Sequence, residues 1–375
     1  MWSSMKITFV MAGTGRTGGV RVLFEVGDRL ARRGYNVTFL SLGFPSHEWF
    51  NFKGDVTFLY PESEYMPLLF PLLRKYSLGD VINYGLRVLK IPYEIESYKI
   101  LAQNIPRDSD IVVATFCFTA FAVHRANIGI GYYYIQHYEP LFFSTNPYLY
   151  QIAKETYYLP LKWVVNSSWV NEQLRKRIGR QGPVIVPGVN TNVFFPREVN
   201  RREDVNKTII SLGKSSRIKG LNYLFEALEM IKKTNFELKL ILYGNEPYLT
   251  KLSPVNTEYY YNPSDEELSK LYSLSDVAVT ASLYESSPLP PLEAMACGTP
   301  VVTTRYGTED YCFNEINSLV VPPKDSKALA NAILRLLKDE NLKENLKKEG
   351  LKTAQCFTWD KTADKVEKLF REAEK

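Results

Sequence analysis

The chain has 375 residues, 45% of them hydrophobic and 23% charged, with a formal net charge of +5. These are values of a globular protein, too long for one small core and suited to two domains, and they exclude a largely disordered chain. Four scattered cysteines, Cys117, Cys297, Cys312 and Cys356, with only three histidines, point to neither a disulfide framework nor a zinc site.

The positive excess lies in the first 195 residues. Basic charge can attract phosphate-bearing lipids or nucleic acid, but no nucleic-acid motif accompanies it, so no nucleic-acid partner is expected. The start, MWSSMKITFVMAGTG, passes from a short apolar run straight into glycines and does not read as a signal peptide. No apolar run reaches the roughly 18 to 20 residues of a spanning helix. The longest, from Ile111 to Val123, is interrupted by Thr115 and Thr119. A cytoplasmic location is expected.

The chain opens on a βαβ unit: a strand at Lys6 to Met11, a glycine-rich loop, a helix from about Gly19 to Arg33 and a strand at Asn36 to Leu42. Val20, Leu23, Phe24, Gly27, Leu30 and Ala31 fall at helical spacing, and Gly34 suits the left-handed position that ends a helix. The loop holds a literal GxGxxG, Gly13 to Gly18. A dinucleotide site also wants an acidic residue near the end of the second strand, and that strand ends Phe39, Leu40, Ser41, Leu42. The dinucleotide reading is therefore weak.

Between Tyr65 and Tyr93 an apolar block carries Arg74, Lys75, Arg87 and Lys90. It reads as a core helix pair, or as a patch that docks peripherally on the inner face of the cell membrane. Further on, RDSDIVVAT contains Asp108 and Asp110, a literal DxD. It precedes a strand, whereas ligands of open α/β sheets gather beyond strand C-termini, so it is read as a turn and no metal is expected.

Strand-like runs recur at Ile111 to Thr115, Tyr132 to Gln136 and Trp163 to Asn166 with helical segments between some of them, which implies a mainly parallel sheet covered on both faces. After the second of these, YYYIQHYEPLFF brings Gln136, His137 and Glu139 to the strand's C-terminal edge. There His137 can donate to a ligand hydroxyl or a scissile oxygen, or make a structural hydrogen bond. The neighbouring aromatics can stack on a ligand or simply pack.

GPVIVPGVNTNVFFP, residues 182–196, reads as an interdomain linker. It divides the chain into domains 1–185 and 186–357, with a charged amphipathic tail at 358–375. A second α/β series follows: Lys207 to Leu212, Leu238 to Tyr243, Glu258 to Tyr260, Val277 to Thr280 and Val301 to Thr303, with Ser264 and Glu267 forming a capping box. Two doubly wound domains in tandem are expected to hold a ligand between facing strand C-termini. SLGKSSRIKGLNYLFEAL sets Lys214, Arg217 and Lys219 in a loop between strand and helix, where three cations can neutralise a diphosphate.

The most informative segment is YESSPLPPLEAMACGTPVV, residues 284–302. Pro288, Pro290 and Pro291 fit only a loop or a first helical turn, so Glu285 lies in the loop and Glu293 inside the helix. The helix N-terminus between the two acids, with its unpaired N–H groups, suits a phosphate. The segment resembles the donor-site signature of retaining glycosyltransferases of family 4, which have the two-domain GT-B architecture. WVVNSSWVNEQL and VPGVNTNVFFP also carry the resemblance.

The resemblance implies that Glu285 contacts the donor sugar and Glu293 the ribose of the nucleotide, with Ser287 and Leu289 also binding the donor. Lys214 and Lys219 match a family Arg and Lys five residues apart, with Lys214 in place of Arg, and Arg217 lies between them. Gly18, Gly19 and Arg21 resemble the family's first loop, which approaches the donor phosphates or the acceptor; Arg21 alternatively reads as a surface residue. His137 falls where many members have a His near the donor sugar. The terminal helix of such folds often crosses back onto the first domain. Pro288 stands where the family commonly has glycine, removing a backbone donor near the sugar.

The implied activity is transfer of a hexose or deoxyhexose, with retention, from a nucleotide-diphosphate sugar to a glycan or lipid-linked saccharide, as in polysaccharide or glycan biosynthesis. No cofactor beyond that co-substrate is expected, and domain closure is expected to exclude water. The other readings are a nucleotide-sugar epimerase or phosphorylase on the same fold, and a non-catalytic two-domain sugar-binding protein.

Overall fold

The computed structural model describes residues 5–43, 45, 48–59, 93–198, 207–234 and 236–373, with the backbone alone for 93–97. The apolar block up to Pro92, with its membrane-docking reading, lies outside them. The chain forms two compact units, Met1–Asn166 with Val170–Ile185 and Ala363–Lys375, and Ser167–Trp169 with Val186–Thr362.

The first unit is built on strands β1 (Lys6–Met11), β2 (Asn36–Leu42), β3 (Asp55–Leu59), β4 (Ile111–Ala114), β5 (Ile130–Ile135) and β6 (Lys162–Val165). They lie in the order β3-β2-β1-β4-β5-β6, and every pairing is parallel. The second unit repeats the plan with β7 (Lys207–Leu212), β8 (Leu238–Gly244), β9 (Asn256–Tyr261), β10 (Val277–Thr280), β11 (Val301–Thr304) and β12 (Leu319–Val321). Their order is β12-β11-β10-β7-β8-β9, again all parallel. Parallel neighbours require crossover connections, and these are largely helical. The helices are α1 (Gly18–Arg32), α2 (Tyr93–Asn104), α3 (Cys117–Ala126), α4 (Pro147–Glu155), α5 (Ser168–Ile178), α6 (Leu221–Lys232), α7 (Asp265–Leu274), α8 (Leu289–Ala296), α9 (Ser326–Lys338), α10 (Glu340–Cys356) and α11 (Trp359–Ala373). Each unit is therefore the doubly wound α/β architecture that the alternation of strands and helices predicts. None of these helices is long and apolar enough to cross a membrane.

Local chemistry explains the element ends. Thr17 caps α1 by accepting the Val20 N–H at 3.2 Å, and Gly34 follows its end with φ of +96°. Ser264 and Glu267 form the reciprocal capping box of α7, at 3.2 and 2.8 Å. The central strands are buried on both faces, as parallel strands between helices must be. Leu224, Leu228 and Ile231 of α6 pack with Ile333 and Leu336 of α9 over Ile209, Leu240 and Leu242 of the second sheet. Two strands were not anticipated: β3, whose half-exposed DVTFL gives a weak signal, and the three-residue β12.

Residues 363–373 of α11 belong to the first unit. Phe370 packs on the Tyr132 ring with centroids 4.9 Å apart, and the Tyr132 hydroxyl donates to the Leu369 carbonyl at 3.1 Å. Glu367 accepts from Arg33 at 2.7 Å and from the Tyr35 hydroxyl at 2.8 Å. Burial works against ionisation of Glu367, but the hydrogen bonds from Tyr35 and Arg33 and the charges of Arg33 and Arg371 outweigh it and hold its carboxyl below the ordinary value.

A carboxyl held low in the folded state adds stability above its unfolded value and loses it as pH falls through the folded one. Glu367→Gln should lower the stability of the first unit by about 1 kcal/mol at pH 7, toward the low end for a charged hydrogen bond because the group is partly screened. In urea titrations the difference from wild type should close as pH falls below the carboxylate range.

Candidate functional site

The order of the second sheet reverses between β7 and β10, whose C-termini lie side by side. In open α/β sheets that is where ligands bind. Loops 213–220 and 281–288 leave these two strand ends, and backbone contacts join them. The Leu283 N–H donates to the Ile218 carbonyl at 2.7 Å. Gly220 has φ of +63°, and a Cβ there would collide with the Ala281 carbonyl oxygen. A 3-10 turn at Arg217–Lys219 ends the first loop.

This arrangement brings two of the expected residues together. Lys219 Nζ lies 2.6 Å from Glu285 Oε1, and the Ser282 hydroxyl donates to the same oxygen at 2.7 Å. The Glu285 N–H donates to the Tyr306 carbonyl at 3.1 Å. Behind it Gly307, with φ of +93°, leaves no room for a Cβ against the Glu285 carbonyl.

Lys214 goes elsewhere. It bonds Asn245 Oδ1 and lies 3.5 Å from Glu246, whose other carboxylate oxygen accepts the Ser215 N–H at 2.9 Å. Burial raises the Glu246 carboxyl, but hydrogen bonds from Ser215 and Tyr248 and the charge of Lys214 outweigh that and hold it low. The two lysines thus part to different acids, and the Arg217 side chain between them is exposed.

Helix α8 starts at Leu289 with Pro288 as its N-cap and prolines at the next two helical positions. Prolines 290 and 291 have no N–H, so Leu289 is the one residue of the first three with a backbone donor to offer. The expected anion site at this helix end is narrower than a run of free N–H groups. The Tyr311 hydroxyl donates to the Pro288 carbonyl. The Ser287 hydroxyl oxygen is buried without a hydrogen-bond partner among the described residues. One turn on, Glu293 is buried and its Oε2 accepts from the Tyr272 hydroxyl at 3.4 Å. The Tyr272 and Tyr243 hydroxyls share a 2.8 Å hydrogen bond.

In the first unit, the side chain of Gln136 lies against Gly19, so a Cβ at that glycine would sit 3.4 Å from Gln136 Oε1. That oxygen is buried and has no hydrogen-bond partner among the described residues. Gly18 opens α1. Arg21 is not an ordinary surface residue: its side chain is 12% exposed, lies 4.0 Å from Glu25 and sits over the Trp49 ring at 5.6 Å. His137 packs on Phe142 with centroids 4.5 Å apart, and its Nδ1 lies 3.2 Å from the Tyr138 carbonyl oxygen.

The expectation that Glu139 reaches the strand edge is corrected. Its side chain turns back under β5 and accepts from the Tyr133 hydroxyl at 2.8 Å, while its own N–H donates to Tyr157 Oη at 3.0 Å. Burial pushes the carboxyl up to about 8, against the hydrogen bonds from Tyr133 and Cys117. Tyr132, Tyr133 and Tyr134 are packed in the core. Asp108 and Asp110 both bind Lys6, the first through its ammonium and the second through its N–H at 2.7 Å.

Sequence reasoning missed Ser282, Glu246 and Gly307. The signals were slight: a serine three residues before Glu285, an acid just after the end of β8, and a lone glycine in RYGTED.

Residues 194–353 match the family described as Glycosyl transferases group 1. The chain spans about half the length of the curated relatives it matches. One is MMP alpha-(1->4)-mannosyltransferase of Mycolicibacterium hassiacum, 30% identical over 200 residues, 50% of this chain and 48% of that protein. Sucrose-phosphate synthase from Thermosynechococcus elongatus has a similar structure, with a TM-score of 0.75 over 98% of this chain and 99% of that one at 19% identity. HepE of Anabaena, in complex with UDP and glucose, reaches 0.74 over 98% and 100% at 16% identity. The likeness is of fold, the GT-B fold.

Gly307→Ala should destabilise the second unit by about 2 to 4 kcal/mol, combining a strained backbone with a collision beside Glu285. Gly298→Ala is the comparison. It has φ of +71° but its nearest neighbour is 3.4 Å from the added Cβ, so only the backbone strain, about 1 kcal/mol, is expected. Urea unfolding of both variants tests the difference.

Proposed function

We propose that the protein is a retaining glycosyltransferase of family 4 that moves a hexose or deoxyhexose from a nucleotide-diphosphate sugar to a glycan or lipid-linked saccharide, without a metal. The observation that carries this reading is the Lys219–Glu285 pair at the reversal point of the second sheet, inside the segment that matches a glycosyltransferase family. HepE, of like fold, is described in complex with UDP and glucose, which supports a nucleotide sugar as the donor.

In this reading the 186–357 domain binds the donor and the 1–185 domain serves the acceptor. The Lys219 ammonium stabilises the departing diphosphate, the main electrostatic task when a charged leaving group separates. Lys214 joins it by exchanging Asn245 and Glu246 for phosphate, and Arg217 adds a nearby positive charge. The Ser287 hydroxyl and the Leu289 N–H bind the donor beside Glu285. Glu285 orients the sugar and supports positive charge near the anomeric carbon, while Glu293 holds the ribose. Gly18, Gly19 and Arg21 belong to the loop that approaches the phosphates or the acceptor, and His137 donates to a sugar hydroxyl. The proposed place of work is the cytoplasm, including the inner face of the cell membrane.

Calorimetry of wild type, Lys219→Ala and Glu293→Ala against UDP, GDP, ADP and dTDP, with EDTA present, tests this. One diphosphate should bind wild type, and each variant should lose about tenfold or more in affinity, the size of a charge-assisted hydrogen bond. Absence of binding by all four, or variants equal to wild type, would overturn the reading.

A further inference from the structure

The two oxygens of Glu285 have unequal surroundings. Oε1 accepts from Lys219 at 2.6 Å and from Ser282 at 2.7 Å, and no hydrogen bond from a described residue reaches Oε2. The two donors differ in kind. Lys219 is a charged group on a long flexible stem, and its side chain is 31% exposed. Ser282 is neutral and buried, and its own carbonyl accepts from the Thr304 hydroxyl. A diphosphate carries more negative charge than a carboxylate, so it competes with Glu285 for the ammonium and far less for the hydroxyl.

We propose that Ser282 is a positioning residue that keeps Glu285 in place when Lys219 turns to the donor's diphosphate, so that Oε2 stays presented to the sugar. This rests on the glycosyl-transfer reading above and adds the device by which one lysine serves two partners. Before the donor arrives, Lys219 neutralises Glu285. Once the diphosphate takes the ammonium, the carboxylate would be free to rotate about its side-chain torsions, and the hydroxyl on Oε1 removes that freedom. Holding a reacting group in one geometry acts on turnover more than on binding.

The test compares wild type, Ser282→Ala, Ser282→Thr, Ser282→Cys and Glu285→Gln. Diphosphate affinity is measured by calorimetry with UDP, and turnover as diphosphate release from UDP-glucose with water taking the glycosyl group, or with the GDP, ADP or dTDP counterparts when the base screen selects one of those. Ser282→Ala should bind the diphosphate within about twofold of wild type while kcat falls about tenfold or more, the effect of one lost hydrogen bond to a charged group. KM should change little. Ser282→Thr, which keeps the hydroxyl, should recover most of the rate. Ser282→Cys, similar in size but a weak donor, should show the loss even where the alanine variant does not fold.

Wild-type kcat in Ser282→Ala or Ser282→Cys would overturn the proposal. So would equal losses of diphosphate affinity and kcat, which mark a merely structural serine. Full turnover in Glu285→Gln, or failure of wild type to bind any of the four diphosphates, overturns the glycosyl-transfer reading itself and the proposal with it.

Discussion

Everything in the candidate site depends on two loops being held together where they leave neighbouring parallel strands. The Lys219–Glu285 ion pair is the visible result, but its net contribution to stability is small, because removing two charges from water offsets most of their attraction. The backbone fixes the distance. The Leu283 N–H reaches across to Ile218, Gly220 lets the first loop pass under the Ala281 carbonyl, and Gly307 lets a third segment close behind Glu285. Glycine is needed at the last two places because both the left-handed backbone and the close approach exclude a side chain.

Much of this was legible because it rests on local rules. Proline's missing N–H placed the start of α8, the serine–glutamate spacing placed the start of α7, and strand spacing gave both parallel sheets. What was not legible depends on contacts distant in sequence. Lys214 and Lys219 look alike in a linear reading, yet Lys214 pairs with Glu246 and Lys219, the last residue of the 3-10 turn, with Glu285. Polarity and position beyond a strand end suggested an accessible Glu139. The pocket that takes it instead is made by Cys117, Tyr133 and Tyr157, which no local pattern ties to it.

The first unit shows the same division between position and availability. Arg21 is where a phosphate-facing cation is expected, but Glu25 and the Trp49 ring already engage it. A cation with such partners acts on a ligand only by exchanging them, and the exchange sets the affinity that remains. Gln136 differs, since its buried oxygen has no hydrogen-bond partner among the described residues to give up.

The buried Glu139 also ties folding to protons. Its carboxyl rises from an ordinary 4.5 to about 8, so around neutral pH the folded unit holds a proton that the unfolded chain releases. The folded state binds more protons across that interval, so this group makes the unit progressively less stable as pH climbs from about 4.5 toward 8. Heat unfolding near pH 7 therefore delivers a proton to the buffer, and the apparent enthalpy of unfolding carries the buffer's own heat of ionisation.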